Sequence, residues 1–315
     1  MSTTQDYAEA MGRNIGLLTA VEQERLRGAC VALPGLGGVG GGHLQALARL
    51  GIGAFHLADP DHFERANFNR QLGATTASLG RSKVEVSAEL VRSIHPDVRL
   101  RLFPDGINPQ NIDDFLDGVD VVVDGIEFFA IETRRMLYAA CRRRRIPIVT
   151  AGPIGYGATL YVFMPDGVSF DAHFGIDDGM TRAEMLLAHA LGHATGLRSD
   201  LDPASVDFER EKGPALASAC FLCSGMAAME VVKLVCGRGA VAAAPHGIYF
   251  DPYRGRLLPM RRCPSVRRSL RGRIMRWFAF RRYPGLKALH ERELQSRAAL
   301  PTFARQSLAS SEVAR

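Results

Sequence analysis

The sequence lacks the features that define several common protein classes. It has no uninterrupted run of about 18 apolar residues, so no membrane-spanning helix is expected. The N-terminal MSTTQDYAEAMGRN is polar and has no apolar signal core, from which we expect a cytoplasmic protein. Six cysteines scattered over 315 residues do not resemble a disulfide framework. With 47% hydrophobic and 23% charged residues, the composition is that of a globular protein with a large core.

Acidic residues are scarce near the C-terminus. From Arg254 onward the chain has 16 Lys and Arg but only 3 Asp and Glu, a surplus of 13. Because the net charge of the whole chain is +6, the preceding residues carry −7. We interpret residues 261–315 as a basic, arginine-rich extension, in which aromatic residues such as Trp277 lie among the arginines. Four roles remain open for it: peripheral contact with an anionic membrane, binding of nucleic acid, binding of an acidic protein, or packing on the main domain with solvated arginines.

Glycine, in contrast, is concentrated in one place. Six glycines occur between Gly35 and Gly42, after the apolar ACVAL and before HLQALARL, whose leucines have helical spacing. This pattern predicts a strand, a turn and a helix, in which bare backbone and the positive helix end can approach a phosphate. Gly35, Gly37 and Gly40 fit the dinucleotide fingerprint, with Asp59 near the spacing of a ribose-binding carboxylate. NAD and ATP are both open on this pattern alone.

The first 150 residues alternate between strand and helix patterns, which predicts a doubly wound, mostly parallel α/β sheet. Residues 157–163 then predict a returning strand, and 218–236 a helix, before two short strands that form an antiparallel extension. We expect one Rossmann-like domain over residues 1–260. An acidic crossover insertion at 170–215 interrupts it, and the basic extension follows it.

The loop after the second strand distinguishes between the two nucleotides. Its polar and charged residues, with the lysine that follows, are Asp59, Asp61, Asn67, Arg70, Gln71 and Lys83. A nicotinamide enzyme needs one carboxylate there and has no use for converging amide and cationic groups. When a carboxylate attacks the α-phosphate of ATP, negative charge builds on the phosphoryl oxygens, and fixed cations stabilise it. The loop therefore favours ATP.

Five motifs occur in one order between Arg13 and Met260: GLGGVG, DPD, NFNRQ, GRSKVE and GMAAMEVVKL. On these motifs the chain resembles the ThiF/HesA/MoeB family of ubiquitin-activating-enzyme-like adenylyltransferases. The resemblance implies a Rossmann-like ATP site that adenylates a carboxylate, commonly the C-terminus of a ubiquitin-like protein or a peptide. It also implies release of pyrophosphate and a homodimer.

The resemblance assigns roles to individual residues. Four glycines are expected to line the phosphates: Gly35, Gly37, Gly38 and Gly40. Three catalytic side chains are expected to grip the triphosphate: Asn67, Arg70 and Lys83. Asp59 is expected to hold the ribose, Gln71 to support the phosphate contacts and Asp61 to position the loop. Arg13 is expected to reach across the dimer into the neighbouring site.

The sequence departs from the family at its metal sites. The magnesium-binding aspartate of the family is replaced in GIEF, where Glu127 keeps a carboxylate and is the expected Mg²⁺ ligand, with Asp124 as a substitute. Of the two Cys-x-x-Cys pairs that hold zinc in many relatives, only Cys263 remains, so no zinc is expected. His189 and His193 lie one helical turn apart, and we interpret them as a solvated or core pair.

The cysteines also depart from the family. The crossover stretch VDFEREKGPA contains no cysteine, which predicts adenylation without a covalent cysteine intermediate. Cys220 and Cys223 form a Cys-x-x-Cys within a segment that enters a buried helix, and we interpret them as small core residues.

Three functions remain open. The first is adenylation of the carboxylate of a small protein or peptide. The second is a tRNA-modifying dehydratase that acts on a nucleoside carboxylate, with CRRRRIP and the basic extension as phosphate contacts. The run of four arginines fits equally well as the solvated end of a helix. The third is an ATP-binding scaffold, against which the presence of Arg70 and Lys83 counts.

Overall fold

The computed structural model of the chain describes residues 4–193, 201–261 and 265–299. These residues form eight strands: β1 (Cys30–Pro34), β2 (Ala54–Ala58), β3 (Arg99–Phe103), β4 (Val121–Asp124), β5 (Ile148–Ile154), β6 (Gly157–Phe163), β7 (Gly247–Asp251) and β8 (Arg256–Met260). They also form eleven α-helices: α1 (Thr4–Ala10), α2 (Ala20–Gly28), α3 (Gly40–Arg49), α4 (Lys83–Ile94), α5 (Ile112–Phe115), α6 (Ile131–Arg143), α7 (Phe170–Phe174), α8 (Arg182–His193), α9 (Ala217–Cys236), α10 (Leu270–Arg282) and α11 (Pro284–Ala299).

The strands form one mixed sheet in the order β3-β2-β1-β4-β5-β6-β7-β8. The first five are parallel, and β6, β7 and β8 extend the sheet with antiparallel pairs. This confirms the doubly wound α/β fold with an antiparallel extension. The chain reverses its direction of winding between β1 and β4, and ligands of such sheets bind beyond the carboxyl ends of the strands at this point.

The inner strands are apolar throughout, as expected for strands covered on both faces. Every residue of β1 and of β4 is buried, and β4 reads VVVD. Their carboxyl ends are Pro34 and Asp124, and each is followed directly by a glycine. The fold thus brings Gly35 and Gly125 to the same edge of the sheet.

Helix α9 packs against the sheet. It is the one helix among the described residues with the length and composition to cross a membrane, with a mean hydropathy of 1.7 in its most apolar window. More than half of that window is buried, and Cys223, Ala227 and Val231 belong to the core cluster of the sheet. The core helix of a globular protein has the same composition, so the apolar character of α9 is explained by its packing.

The chain divides into two compact units. One comprises the described residues within 1–170 and 215–261, and the other comprises the described residues within 171–214 and 262–315. The sequence assigns the insertion at 170–215 to the domain spanning 1–260 and treats 261–315 as a separate extension. By their contacts, the described residues of the insertion and of the extension belong to the same compact unit, and the domain boundaries at 260 and 261 stay a prediction.

Ion pairs join the insertion to the extension within this unit. Glu184 of α8 is fully buried, and its carboxylate pairs with Arg267 at 2.6 Å and with Arg276 of α10. Asp177 pairs with Arg267 and Arg268 at 3.8 and 3.4 Å. Acidic residues of the insertion thus neutralise part of the positive charge of the extension.

The two histidines of α8 are core residues. His189 and His193 are 5% and 4% exposed, their Nε2 atoms lie 3.2 Å apart, and both rings contact Phe174. Among the described residues, no group of three or more His, Cys, Asp or Glu side chains is arranged to hold a metal. Cys263 lies outside the described residues.

Candidate functional site

The glycine turn joins the end of β1 to the start of α3. Gly35 has a φ of +86°, and a Cβ there would lie 2.2 Å from the carbonyl oxygen of Gly125. A Cβ at Gly40 would lie 1.9 Å from the carbonyl oxygen of Gly35. Backbone packing between β1, α3 and β4 therefore requires glycine at these positions, independently of any ligand.

Gly37 and Gly38 face side chains rather than backbone. The nearest atom to a Cβ at Gly37 is Gln71 Nε2 at 3.6 Å, and at Gly38 it is Cys220 Sγ at 3.3 Å. The first N–H groups of α3 have no carbonyl partner within the helix, and the helix dipole adds positive charge at the same point. At these two positions the backbone is not covered by other backbone, and their expected contact with phosphates stays a prediction.

Asp59 connects the turn to the following loop. It is 5% exposed at the end of β2, and it accepts hydrogen bonds from the N–H of Leu36 at 2.6 Å and of Asp61 at 2.9 Å. Burial raises the pKa of the Asp59 carboxyl, and the nearby Lys83 ammonium opposes this shift. A carboxylate has further acceptor positions, so these bonds leave it able to hold a ribose hydroxyl.

Lys83 is the buried cation of the site. Its side chain is only 6% exposed, and its Nζ donates to Asp61 Oδ2 at 2.8 Å. The N–H of Lys83 also donates to the carbonyl oxygen of Asp61 at 3.0 Å. The structure therefore brings Asp59, Asp61 and Lys83 together, although they are up to 24 positions apart in the sequence.

Arg70 and Gln71 reach the glycine turn from the loop after β2. The Cγ atom of Arg70 lies 3.6 Å from the position of a Cβ at Gly38. The guanidinium of Arg70 donates to Ala66 O at 3.0 Å and to Asn69 Oδ1 at 2.9 Å. Gln71 is 7% exposed, and its Oε1 has no hydrogen-bond donor among the described residues. A buried amide oxygen without a donor is costly, which marks this position as one that a ligand can complete.

Asn67 has a local structural role in addition to its expected one. Its Oδ1 accepts a hydrogen bond from the N–H of Glu64 at 2.9 Å and caps the short helical turn at residues 65–67. The cap holds the loop that carries Arg70 in place. This contact was not predicted from the sequence, although a polar side chain three positions after Glu64 is a capping pattern.

The two carboxylates considered as magnesium ligands, Asp124 and Glu127, differ in exposure and in their hydrogen-bond partners. Asp124 is 3% exposed and accepts hydrogen bonds from Arg134 Nε and the Tyr138 hydroxyl at 2.9 Å and from Ile126 N at 3.0 Å. It forms a buried ion pair and does not fit a metal ligand, contrary to its expected role as a substitute. Glu127 is exposed, with Oε2 accepting a hydrogen bond from Phe129 N at 2.5 Å. It remains the predicted ligand.

Comparison with known proteins now identifies the family. A model of the ThiF family matches residues 11–270. The chain belongs to the ThiF family. It is 37% identical over 156 residues to the tRNA threonylcarbamoyladenosine dehydratase of Haemophilus influenzae, a match that covers 49% of this chain and 59% of that protein. It is 33% identical over 143 residues to the sulfur carrier protein ThiS adenylyltransferase of Escherichia coli, covering 45% of this chain and 56% of that protein.

The chain thus spans between half and three-fifths of the length of these two curated relatives. Among solved structures, the E. coli tRNA N6-threonylcarbamoyladenosine dehydratase in complex with ATP is similar to it. The TM-score is 0.54 and the identity 25%, and the match covers 75% of this chain and 98% of that one.

In the described part of this ThiF-family chain, Arg13 is not bonded to the glycine turn that the other site residues surround. It is exposed in the short turn at Gly12–Asn14, and no hydrogen bond or ion pair joins it to the glycine turn within residues 4–193. Its expected role in the site of a neighbouring subunit stays a prediction.

Three residues lie near the turn of this ThiF-family protein without having been predicted there, although Cys220 was expected to be a core residue and is buried. Gly125 is needed for close approach to Gly35, and its only local signal is its place directly after a buried strand. Cys220 is 1% exposed beside Gly38, and burial raises the pKa of its thiol. His43 is fully buried in the first turn of α3, and burial lowers its pKa to about 4.

Proposed function

We propose that this chain is an ATP-dependent adenylyltransferase that activates a carboxylate and releases pyrophosphate. The observation that carries the proposal is the buried Lys83 ammonium, which pairs with Asp61 and lies near Asp59, beside a glycine turn at the switch point of the sheet. The ATP complex of a similar dehydratase and the name of the ThiS adenylyltransferase support it. Nothing in this arrangement calls for a nicotinamide.

The site residues act on the charge of the triphosphate. Asp59 holds the ribose, and the N–H groups at Gly37 and Gly38 meet the phosphates. As the acyl oxygen attacks the α-phosphate, Lys83 and Arg70 stabilise the developing charge. A buried cation such as Lys83 stabilises this charge more effectively than an exposed cation, because water screens its charge less.

Magnesium fits the site through Glu127. Mg²⁺ is usually held by one or two carboxylates together with substrate phosphates, so a single exposed glutamate after β4 is a sufficient protein ligand. When bound, the ion would neutralise phosphate charge. Asp124 remains paired with Arg134 and holds the backbone of Ile126 through its N–H.

The acceptor attacks the acyl-adenylate without a cysteine intermediate. The five described cysteines are all buried, and burial raises the pKa of each thiol, to about 11 for Cys30 and about 12 for Cys141. Thiols with raised pKa are poor nucleophiles near neutral pH. The substrate we favour is the carboxylate of a ubiquitin-like protein or a peptide.

A tRNA-modifying dehydratase is the second candidate. It is favoured by the similarity to tRNA threonylcarbamoyladenosine dehydratases, at 37% identity for the H. influenzae protein. The run of four arginines at residues 142–145 gives no further support to this candidate. Arg142 donates to Gly167 O, Arg144 pairs with Asp113 at 2.9 Å, and Arg145 pairs with Asp166 at 2.7 Å. Three of these arginines thus have partners within the protein.

A homodimer is part of the proposal. Next to Arg13, the side chains of Ile15 and Leu17 are 50% and 84% exposed. A second copy of the chain would cover these apolar side chains and receive Arg13 in its site. Sedimentation of the purified protein tests this state directly.

ATP–pyrophosphate exchange tests the reaction. The assay compares ubiquitin-like proteins, peptides and tRNA that carries threonylcarbamoyladenosine as carboxylate donors, so the donor that supports exchange identifies the substrate class. Arg70→Ala should reduce exchange by roughly 100-fold or more, as expected for loss of a group that stabilises the transition state. Cys220→Ser should retain most of it. Full exchange by Arg70→Ala would refute the assignment, whereas ATP binding without any exchange would favour a scaffold.

A further inference from the structure

Helices α10 and α11 enclose an open groove of about 990 Å³. Four apolar side chains of α10 line it: Leu270, Ile274, Trp277 and Phe280. Leu270, Ile274 and Trp277 are 73%, 48% and 56% exposed. Exposed aliphatic and aromatic surface gathered in one concave place is typical of an interaction site.

The groove is also positively charged along one wall. Arg273, Trp277 and Arg281 recur every four residues, so they lie in one row on α10. The guanidinium of Arg281 lies 5.7 Å from the centre of the Trp277 ring. Within the described residues, neither Arg273 nor Arg281 has a carboxylate at ion-pair distance, whereas Arg276 pairs with Glu184. The two arginines without an acidic partner are eight residues apart, or about 12 Å along the helix.

These features disfavour a lipid surface and a nucleic acid. Arginines alternate with apolar residues around α10 instead of occupying an opposite face, which is unlike a helix that lies on a membrane surface. Stacking of bases needs free aromatic faces. Arg281 already lies over Trp277, Phe278 packs against the same ring, and the Phe280 ring contacts His290 at 5.0 Å.

We propose that this groove binds an acidic amphipathic helix of a partner protein. The apolar face of that helix would pack on Ile274 and Trp277, as in other complexes where a helix fills an apolar groove. Carboxylates about two helical turns apart on the partner would pair with Arg273 and Arg281. The proposal concerns a surface separate from the glycine turn and does not depend on the adenylation reaction.

The only tryptophan of the chain lies in the groove, so its fluorescence reports binding directly. The probe is an 18-residue helical peptide with leucine at heptad positions a and d and glutamate at the other positions. Titration into the whole 315-residue chain should give a saturable blue shift that weakens with added salt, because the arginines are exposed. The same peptide with lysine in place of glutamate should give none.

Two further probes test the alternatives. They are a 12-nucleotide oligouridylate and vesicles of equal parts phosphatidylcholine and phosphatidylglycerol. A shift with either of these and none with the acidic peptide overturns the proposal. The absence of a saturable shift up to about 1 mM peptide, the weak limit of specific association, overturns it as well.

A matched pair of variants locates the contact. Arg273→Glu should weaken peptide binding by roughly 10-fold or more, because it places a like charge opposite the carboxylates of the peptide. Arg271→Glu makes the same change on the same helix at an exposed residue outside the groove lining, and should leave the affinity within roughly 2-fold. Far-UV circular dichroism checks that both variants fold. Equal weakening by both would show only general charge attraction and would contradict the proposal.

Discussion

At the scale of single residues, the glycines of one turn serve different purposes. Gly35 and Gly40 are fixed by contact between backbone segments, whereas Gly37 and Gly38 face the side chains of Gln71 and Cys220. A sequence motif cannot separate these roles, because the contact of Gly35 with Gly125 joins positions 90 residues apart. The strand–turn–helix pattern was therefore predictable, but the reason for each glycine was not.

Gly40→Ala should destabilise the fold by about 2–3 kcal/mol, because the new methyl group would meet the Gly35 carbonyl and neither backbone segment can move freely. Urea unfolding measures the change in free energy. Gly12→Ala is the control, since no atom lies within 4 Å of the position of its Cβ. Equal stability of Gly40→Ala and the wild type would show that the backbone at Gly35 does not approach Gly40 closely enough to exclude a methyl group.

His43 predicts a pH dependence of stability. Burial lowers its pKa to about 4 in the folded protein, against 6.5 when exposed. Between these values the unfolded chain binds a proton that the folded chain does not, so stability falls as the pH decreases. From pH 6.5 to 4.5 the contribution is about 2 kcal/mol.

Urea unfolding of wild type and His43→Leu at several pH values measures this contribution. The variant should lose less stability than the wild type over the same interval. His246→Leu, at an exposed histidine, should follow the wild type. If the free energies of unfolding of the wild type and of His43→Leu fall equally as the pH decreases, His43 does not take up a proton on unfolding. That result would contradict the prediction.

At the scale of secondary structure elements, a buried ion pair joins β4 to α6. Asp124 and Arg134 have side-chain exposures of 1% and 6% and lie 2.9 Å apart, and Tyr138 donates a further hydrogen bond. The Arg134 guanidinium also donates to the carbonyl oxygens of Ile126 and Glu127. This network shapes the loop that carries Glu127, the predicted magnesium ligand.

Asp124→Asn should destabilise the protein by about 3 kcal/mol, because Arg134 would keep a buried charge without its partner. The matched control is Asp166→Asn, which removes the carboxylate of an exposed pair with Arg145 and should leave stability nearly unchanged. Both are measured by chemical denaturation. Similar losses of stability in Asp124→Asn and Asp166→Asn would show that burial does not determine the cost of removing the carboxylate.

Most elements of the sheet could be predicted from the sequence because their signals are local. Residues 82–95 have a helical pattern, and the structure has α4 at Lys83–Ile94; the apolar GIYFD has a strand pattern and forms β7. Residues 109–116 also have a helical pattern, but the helix that forms there, α5, covers only Ile112–Phe115. Prolines and asparagines before it favour turns, and Asn108 accepts hydrogen bonds from the N–H groups of Gln110 and Asn111.

At the scale of the whole molecule, charge was predictable in amount but not in arrangement. The acidic insertion and the basic extension are evident from composition, yet their pairing depends on contacts such as Glu184 with Arg267, 83 positions apart. Nothing local in either segment indicates this partner. The convergence of Asp59, Asp61 and Lys83 could be anticipated because strand and helix ends of a doubly wound sheet meet at one edge.

The central claim is that Lys83 and its neighbours bind the triphosphate of ATP. Equilibrium binding of ATP and of NAD to the wild type, Lys83→Ala and the exposed control Arg49→Ala tests it without knowledge of the acyl substrate. We expect the wild type and Arg49→Ala to prefer ATP, and Lys83→Ala to bind it roughly 10- to 100-fold more weakly through loss of a charge-assisted contact. Preference for NAD, or unchanged ATP affinity in a folded Lys83→Ala variant, would contradict the account.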